Sequence, residues 1–223
     1  MIDLLKSHPF FTDKQIESCT LLENQGYCNE NYLVEADGVK YIVRKLLRDD
    51  IDREFEWKVQ NLAYAQGITV EPLVFDEENG FMVFSFLEGV HETKLNENEL
   101  KRLAQTLRKL HSINIYEKPI ELQTDTSIID NYIKEYVLCH NDLNPQNIFF
   151  SNNDIKFIDW EYAGVNDRYF DLACVCVEFG LDEQMERVFL RDYFEDEDFS
   201  SEKLEAYKII YKTLCSEWFE KNF

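Results

Sequence analysis

Apolar and polar positions change period several times along this chain. Between Cys19 and Leu47 β-branched and aromatic residues cluster around turn signals at Gly26 and Asp37-Gly38, which predicts a hairpin sheet. From Ile51 to Gln66 the period lengthens. Phe55, Val59, Leu62 and Ala63 fall on one stripe and Gly67 stands at a natural stop, so the segment predicts an amphipathic helix. EPLVFD and GFMVFSF, separated by the turn EENG, predict two further strands, and LEGVHETKLNEN is a polar connector. A boundary is expected there, between an N-terminal lobe over 1–88 and a C-terminal lobe over 89–223.

Past the connector, Leu100, Leu103, Ala104, Leu107 and Leu110 recur at helical spacing within Glu97 to His111, and Ser127 to Tyr136 predicts a second, shorter helix. The chain then tightens into YVLCHNDLNPQNIFFSNNDIKFIDWEYAG, where short apolar runs alternate with Asn, Asp and Pro. That is the pattern of brief strands joined by functional loops. Helices are predicted over Tyr169 to Phe179, Glu183 to Phe194 and Ser201 to Phe219, with the acidic run EDEDF as a solvated loop. The fold class is α+β.

Composition narrows the function. With 44 acidic against 23 basic residues the formal charge is -21, which repels phosphate backbones and anionic headgroups, so neither nucleic acid nor a membrane surface is an expected partner. An acidic surface suits a cationic substrate, although surplus Asp and Glu also simply keep proteins in solution. No apolar run reaches the ~18 residues that span a bilayer, and the start, MIDLLKSHPFF, has no basic, apolar leader. A cytoplasmic location is expected. The six cysteines form no CxxC pair and read as small buried hydrophobes.

The chemistry concentrates in HNDLNPQN and IDWE. Phosphoryl transfer to an alcohol needs a carboxylate to orient and deprotonate the hydroxyl, and oxygen ligands for the Mg2+ that bridges the phosphates. Asp142 can be the base. Asn147, five residues on, and Asp159, at the end of the apolar run IKFI, can ligate the metal, while His140 serves the loop's structure. Each of these residues alone is an ordinary turn former. Their spacing between apolar segments favours the catalytic reading.

These residues resemble the aminoglycoside phosphotransferase and choline kinase superfamily, closest to bacterial choline kinases of the lipopolysaccharide-decorating type. CHNDLNPQNIFF resembles the catalytic loop, IDWEYAGVNDRYFDLA the metal-binding segment, and GYCNENYLV with YIVR the nucleotide-binding hairpin. The resemblance implies a two-lobed protein-kinase-like fold, with a small antiparallel-sheet N-lobe and a mainly helical, shortened C-lobe. It also implies ATP as co-substrate, Mg2+ as cofactor, and a small, cationic alcohol as acceptor.

Carried over by residue, it makes Asp142 the base, Asn147 and Asp159 the metal ligands, and Asn144 an acceptor-side residue. It puts Gly26, Asn31, Arg44, Glu56, Ser85 and Leu87 around the nucleotide. Arg44 and Lys45 are adjacent on a strand and face opposite sides, so only one can serve, and Glu56 could instead be a solvent-facing helix acid. Ser85 to Leu87 could equally be a buried strand end. For the acceptor, Tyr162 and Glu178 match the family pocket, as does Trp218, whereas Cys215 stands where a second Trp is usual. The segment between LRKLHS and CHND is short, and the chain stops at SEWFEKNF, where relatives carry further helices. The acceptor is thus expected to be choline or a related amino alcohol, with thiamine, an aminoglycoside or a sugar as alternatives. An inert kinase-like binding protein is a further reading, and a homodimer would be one way to complete the pocket.

Overall fold

The computed structural model describes residues 1–23, 29–151, 154–195 and 197–222. They divide into two compact units, Met1–Glu88 and Gly89–Phe223.

The first unit is built on a five-stranded antiparallel sheet in the order β1-β2-β3-β5-β4. Its strands are β1 (Ile16–Leu21), β2 (Asn29–Ala36), β3 (Val39–Leu46), β4 (Pro72–Asp76) and β5 (Phe81–Ser85). The β2–β3 hairpin closes with Ala36 opposite Val39, and both loop residues, Asp37 at φ 51° and Gly38 at φ 71°, are left-handed. Positive φ at both central positions is what a type I′ turn demands, and Asp-Gly supplies it at low cost. Two short helices that the sequence reading did not expect, α1 (Ile2–Ser7) and α2 (Pro9–Thr12), place Leu5 and Phe11 on one sheet face. There they pack against Val34, Ala36, Tyr41, Val43, Phe81 and Val83. Six and four residues are too few to show a helical period, which explains why the pattern did not reveal them.

Helix α3 (Arg53–Ala65) is capped by Asp52, whose side chain accepts from the Phe55 amide, and the chain leaves it through Gly67 at φ 69°. Trp57 on α3 packs against Phe75 and Phe84.

In the second unit α4 (Glu97–His111) opens with a full capping box between Asn96 and Glu99. Two small antiparallel pairs follow: β6 (Tyr136–Cys139) with β9 (Gly164–Asp167), and β7 (Ile148–Phe150) with β8 (Ile155–Phe157). Helix α5 (Arg168–Glu178) is buried continuously from Tyr169 to Cys176, and α6 (Glu183–Phe194) and α7 (Ser201–Asn222) complete the unit. The helix expected over Ser127 to Tyr136 is instead a single 3-10 turn, Ser127–Ile129. Beyond it Asp130 and Asn131 favour turn conformations, and Ile133 is almost fully exposed, so no apolar stripe exists to hold a longer helix.

Candidate functional site

The catalytic-loop candidate starts at the end of β6, where the chain is pinned from below by Asp171 on α5. Its carboxylate is fully buried: Oδ2 accepts from the His140 amide at 2.8 Å and Oδ1 from the Asn141 amide at 2.8 Å. His111, at the end of α4, donates through Nε2 to the same Oδ2 at 3.1 Å, and its Nδ1 meets the Tyr193 hydroxyl at 2.6 Å. His111, Cys139 and Asp171 bring ligand-type atoms within 4.8 Å of one another. Both nitrogens of His111 and both oxygens of Asp171 are already engaged, so these two side chains form a closed hydrogen-bond network holding the loop, while the Cys139 thiol donates to the Asn166 and Asp167 carbonyls.

From this anchor the loop turns through Asn141, at φ 65°, to Asp142. The Asp142 carboxylate is held at both oxygens. Asn144 Nδ2 donates to Oδ1 at 3.0 Å, and Asn147 Nδ2 to Oδ2 at 2.8 Å and to the Asp142 carbonyl at 2.9 Å. Asn144 also accepts from the Gln146 amide at 2.9 Å, capping the 3-10 turn Pro145–Asn147. Both ends of Asn144 are therefore used inside the loop. His91 supports the turn from outside, with Nδ1 3.1 Å from the Pro145 carbonyl and 3.0 Å from that of Ile148.

Asp159 is brought alongside by residue 158. The Ile158 amide donates to the Asn147 carbonyl at 3.0 Å, and the Ile158 carbonyl accepts from His140 Nε2 at 2.9 Å. The expectation that His140 bonds backbone near the loop matches this contact. Asp159 itself is left-handed, φ 69°, and the next residue, Trp160, is buried against the His140 ring. Burial pushes the Asp142 carboxyl above its usual range, and the nearby Asp159 charge pushes the same way, against His140 and the two asparagine bonds. Because Asn147 spends its nitrogen on Asp142, what it can offer a cation is its carbonyl oxygen. An amide oxygen beside two mutually repelling carboxylates is a donor set that fits a hard divalent cation such as Mg2+.

Glu178 ends α5, and its Oε1 accepts from the Tyr211 hydroxyl of α7 at 2.8 Å. Burial raises the Cys215 thiol, the Tyr211 hydroxyl opposes, and the Glu178 and Asp142 charges raise it further. One thiol thus lies within electrostatic reach of both carboxylates. Tyr162, three residues after Asp159, is 38% exposed, and Trp218 stands edge-on to Phe219 on α7.

In the first unit Arg44 is buried on β3 and donates to Glu56 Oε1 at 3.0 Å and to Asn31 Oδ1 at 3.2 Å. Glu56, 3% exposed, takes a second arginine, Arg53, at 2.6 Å. Lys45 points the other way, toward Glu30 on the exposed side. Ser85 is half-buried and its hydroxyl accepts from the Glu71 amide at 3.1 Å; Leu87 is half-buried. Gly26 lies outside the described residues.

Asn141, Asp171, His91, Arg53 and Tyr211 were not singled out from the sequence. A signal existed for two of them: Asp171 is the one acid inside the apolar run from Tyr169 to Val177, and Arg53 lies one turn before Glu56.

A small antiparallel-sheet unit followed by a mainly helical one is the architecture of the protein-kinase-like fold. The chain belongs to the phosphotransferase enzyme family (APH), whose profile matches residues 22–127 and 129–207. It is 30% identical over 213 residues to the protein LicA homolog of Mycoplasma capricolum, covering 89% of this chain and 81% of that protein. Against a protein LicA of Haemophilus influenzae it is 28% identical over 205 residues, 75% of this chain, and spans 60% of that relative's length. The choline kinase LicA from Streptococcus pneumoniae superposes with a TM-score of 0.84 at 23% identity, covering all of this chain and 92% of that one. A structure of LicA in complex with AMP gives a TM-score of 0.71 at 25% identity, covering 93% and 84%.

Proposed function

We propose that this chain is a small-molecule kinase that transfers the γ-phosphoryl group of ATP to the hydroxyl of choline or a related amino alcohol. The observation that carries the reading is the Asp142 carboxylate, fixed at both oxygens by Asn144 and Asn147 and facing the charge of Asp159. Such a group is oriented to accept a proton.

Asp142 takes the proton of the acceptor hydroxyl as that oxygen bonds to the γ-phosphorus and the bond to the β-phosphate oxygen breaks, releasing ADP. Asn144 and Asn147 aim the carboxylate. The Asn147 carbonyl and the Asp159 carboxylate are the groups that would hold Mg2+, which when bound neutralises charge on the phosphates. In the first unit Arg44, held straight by Glu56 and Asn31, meets a phosphate, and Arg53 keeps Glu56 from neutralising Arg44 completely. The similarity to a LicA bound to AMP supports nucleotide use.

For the acceptor, Glu178 supplies negative charge and Tyr162 an aromatic face, which is how a quaternary ammonium without N–H donors is recognised. The similarity to proteins named LicA, one of them titled a choline kinase, supports choline. A coupled assay of ADP release with MgATP across choline, ethanolamine, thiamine and an aminoglycoside tests the reading. Turnover with choline or ethanolamine is expected. Turnover only with thiamine or an aminoglycoside would overturn the assignment to choline or a related amino alcohol and leave the kinase, and no turnover with any of the four would overturn both.

A further inference from the structure

Asn141 has no part in the chemistry just described, yet its polar groups are all committed. It occupies the left-handed region at φ 65°, which Asn tolerates better than most residues. A residue present only for that conformation needs nothing from its side chain, and glycine would serve as well. Here the side chain is fully used. Nδ2 donates to the Tyr162 carbonyl at 3.0 Å and more weakly to the Gly164 carbonyl at 3.4 Å, while Oδ1 accepts from Asn166 Nδ2 at 2.9 Å. Asn166 in turn accepts from the Asp167 amide at 2.8 Å, and the Asp167 side chain caps α5, the helix that ends in Glu178.

We infer that Asn141 is a positioning residue that clamps the base-bearing loop to the turn carrying Tyr162, and so sets where the acceptor hydroxyl meets Asp142. The inference rests on the acceptor reading above. The residue immediately before the base and the residue bearing the aromatic face are joined through one amide. Displacing that amide shifts Tyr162 relative to Asp142 while Asp171 still holds the loop backbone. A misplacement of about 1 Å at a reacting centre can cost ~10²-fold in rate.

Glycine, alanine and aspartate at this position separate the roles. Asn141→Gly keeps the left-handed backbone and deletes the clamp. Asn141→Ala adds strain to the same deletion. Asn141→Asp keeps the shape and the Asn166 bond but sets an acceptor against two carbonyls. With the alcohol that the wild-type enzyme phosphorylates best, Asn141→Gly should lower kcat/KM for that acceptor about tenfold or more. Its MgATP affinity, measured by calorimetry, should stay within about twofold of wild type, and Asn141→Asp should be no better. Hydrogen exchange should also speed up over 162–166 in Asn141→Gly, a readout that needs no acceptor. Wild-type kcat/KM in the glycine variant would show that only φ mattered and overturn the clamp, as would unchanged exchange over 162–166 or a parallel loss of MgATP affinity. Failure of the wild-type enzyme to use choline, with the exchange effect intact, would count against the acceptor reading and not against the clamp.

Discussion

Asp142 must be ionised to act as a base, yet it sits where ionisation is disfavoured. Burial and the Asp159 charge raise its carboxyl, so kcat/KM should fall on acidification through a pKa above the ordinary ~3.9 of aspartate. A pH profile placing that limb at or below the ordinary value would contradict the site's geometry. The stability contribution has the opposite sense: a raised folded-state pKa favours folding while Asp142 is protonated, and that share is lost as pH climbs through the raised value. Asp142→Asn should cost ~10²–10⁴-fold in turnover with MgATP affinity nearly intact, and retention of more than a third of the activity would rule out the base. Asp159→Ala should abolish Mg2+-dependent ATP binding, and Asn147→Ala should impair turnover with a smaller binding loss; calorimetry in the presence of Mg2+ distinguishes them. Glu178→Gln should raise the choline KM tenfold or more, about 1.4 kcal/mol if KM tracks binding, with ATP kinetics unmoved.

Elements place these residues, and one glycine shows how tightly. Gly164 begins β9, which pairs with β6, and its carbonyl faces Asn141. A Cβ there would lie 2.6 Å from Ile120 Cγ2. Gly164→Ala should therefore cost ~1–3 kcal/mol in chemical denaturation, with the loss in activity exceeding what the change in folded fraction explains. Most elements were legible because each carries its own signal. Helix α3 shows its stripe and glycine stop, α4 its leucine period, and α6 spans Glu183–Phe194 as the pattern predicts. The segment after Ser127 misled because a few apolar residues at helical spacing do not reveal whether a surface exists for them to cover.

Across the whole molecule the charge of -21 should speed the encounter with a cationic acceptor, because opposite charges attract over a Debye length. Raising NaCl from about 20 mM to about 200 mM should lower kcat/KM for choline by more than it lowers that for an uncharged alcohol. Equal salt slopes would confine the acidic surplus to a solubility role.

The sequence by itself determined the α+β class, the order of most elements and the motif that carries Asp142, Asn147 and Asp159, because local period, turn chemistry and residue spacing are properties of the chain. It left Arg44 and Lys45 as alternatives. Strand alternation says that they face opposite sides, but only the packing of α3 says which side holds Glu56. The bonds from Asp171 to the loop, from Asn141 to Tyr162 and from Tyr211 to Glu178 join residues 21 to 33 positions apart. Contacts of that separation leave no local period, and only the tertiary structure decides them.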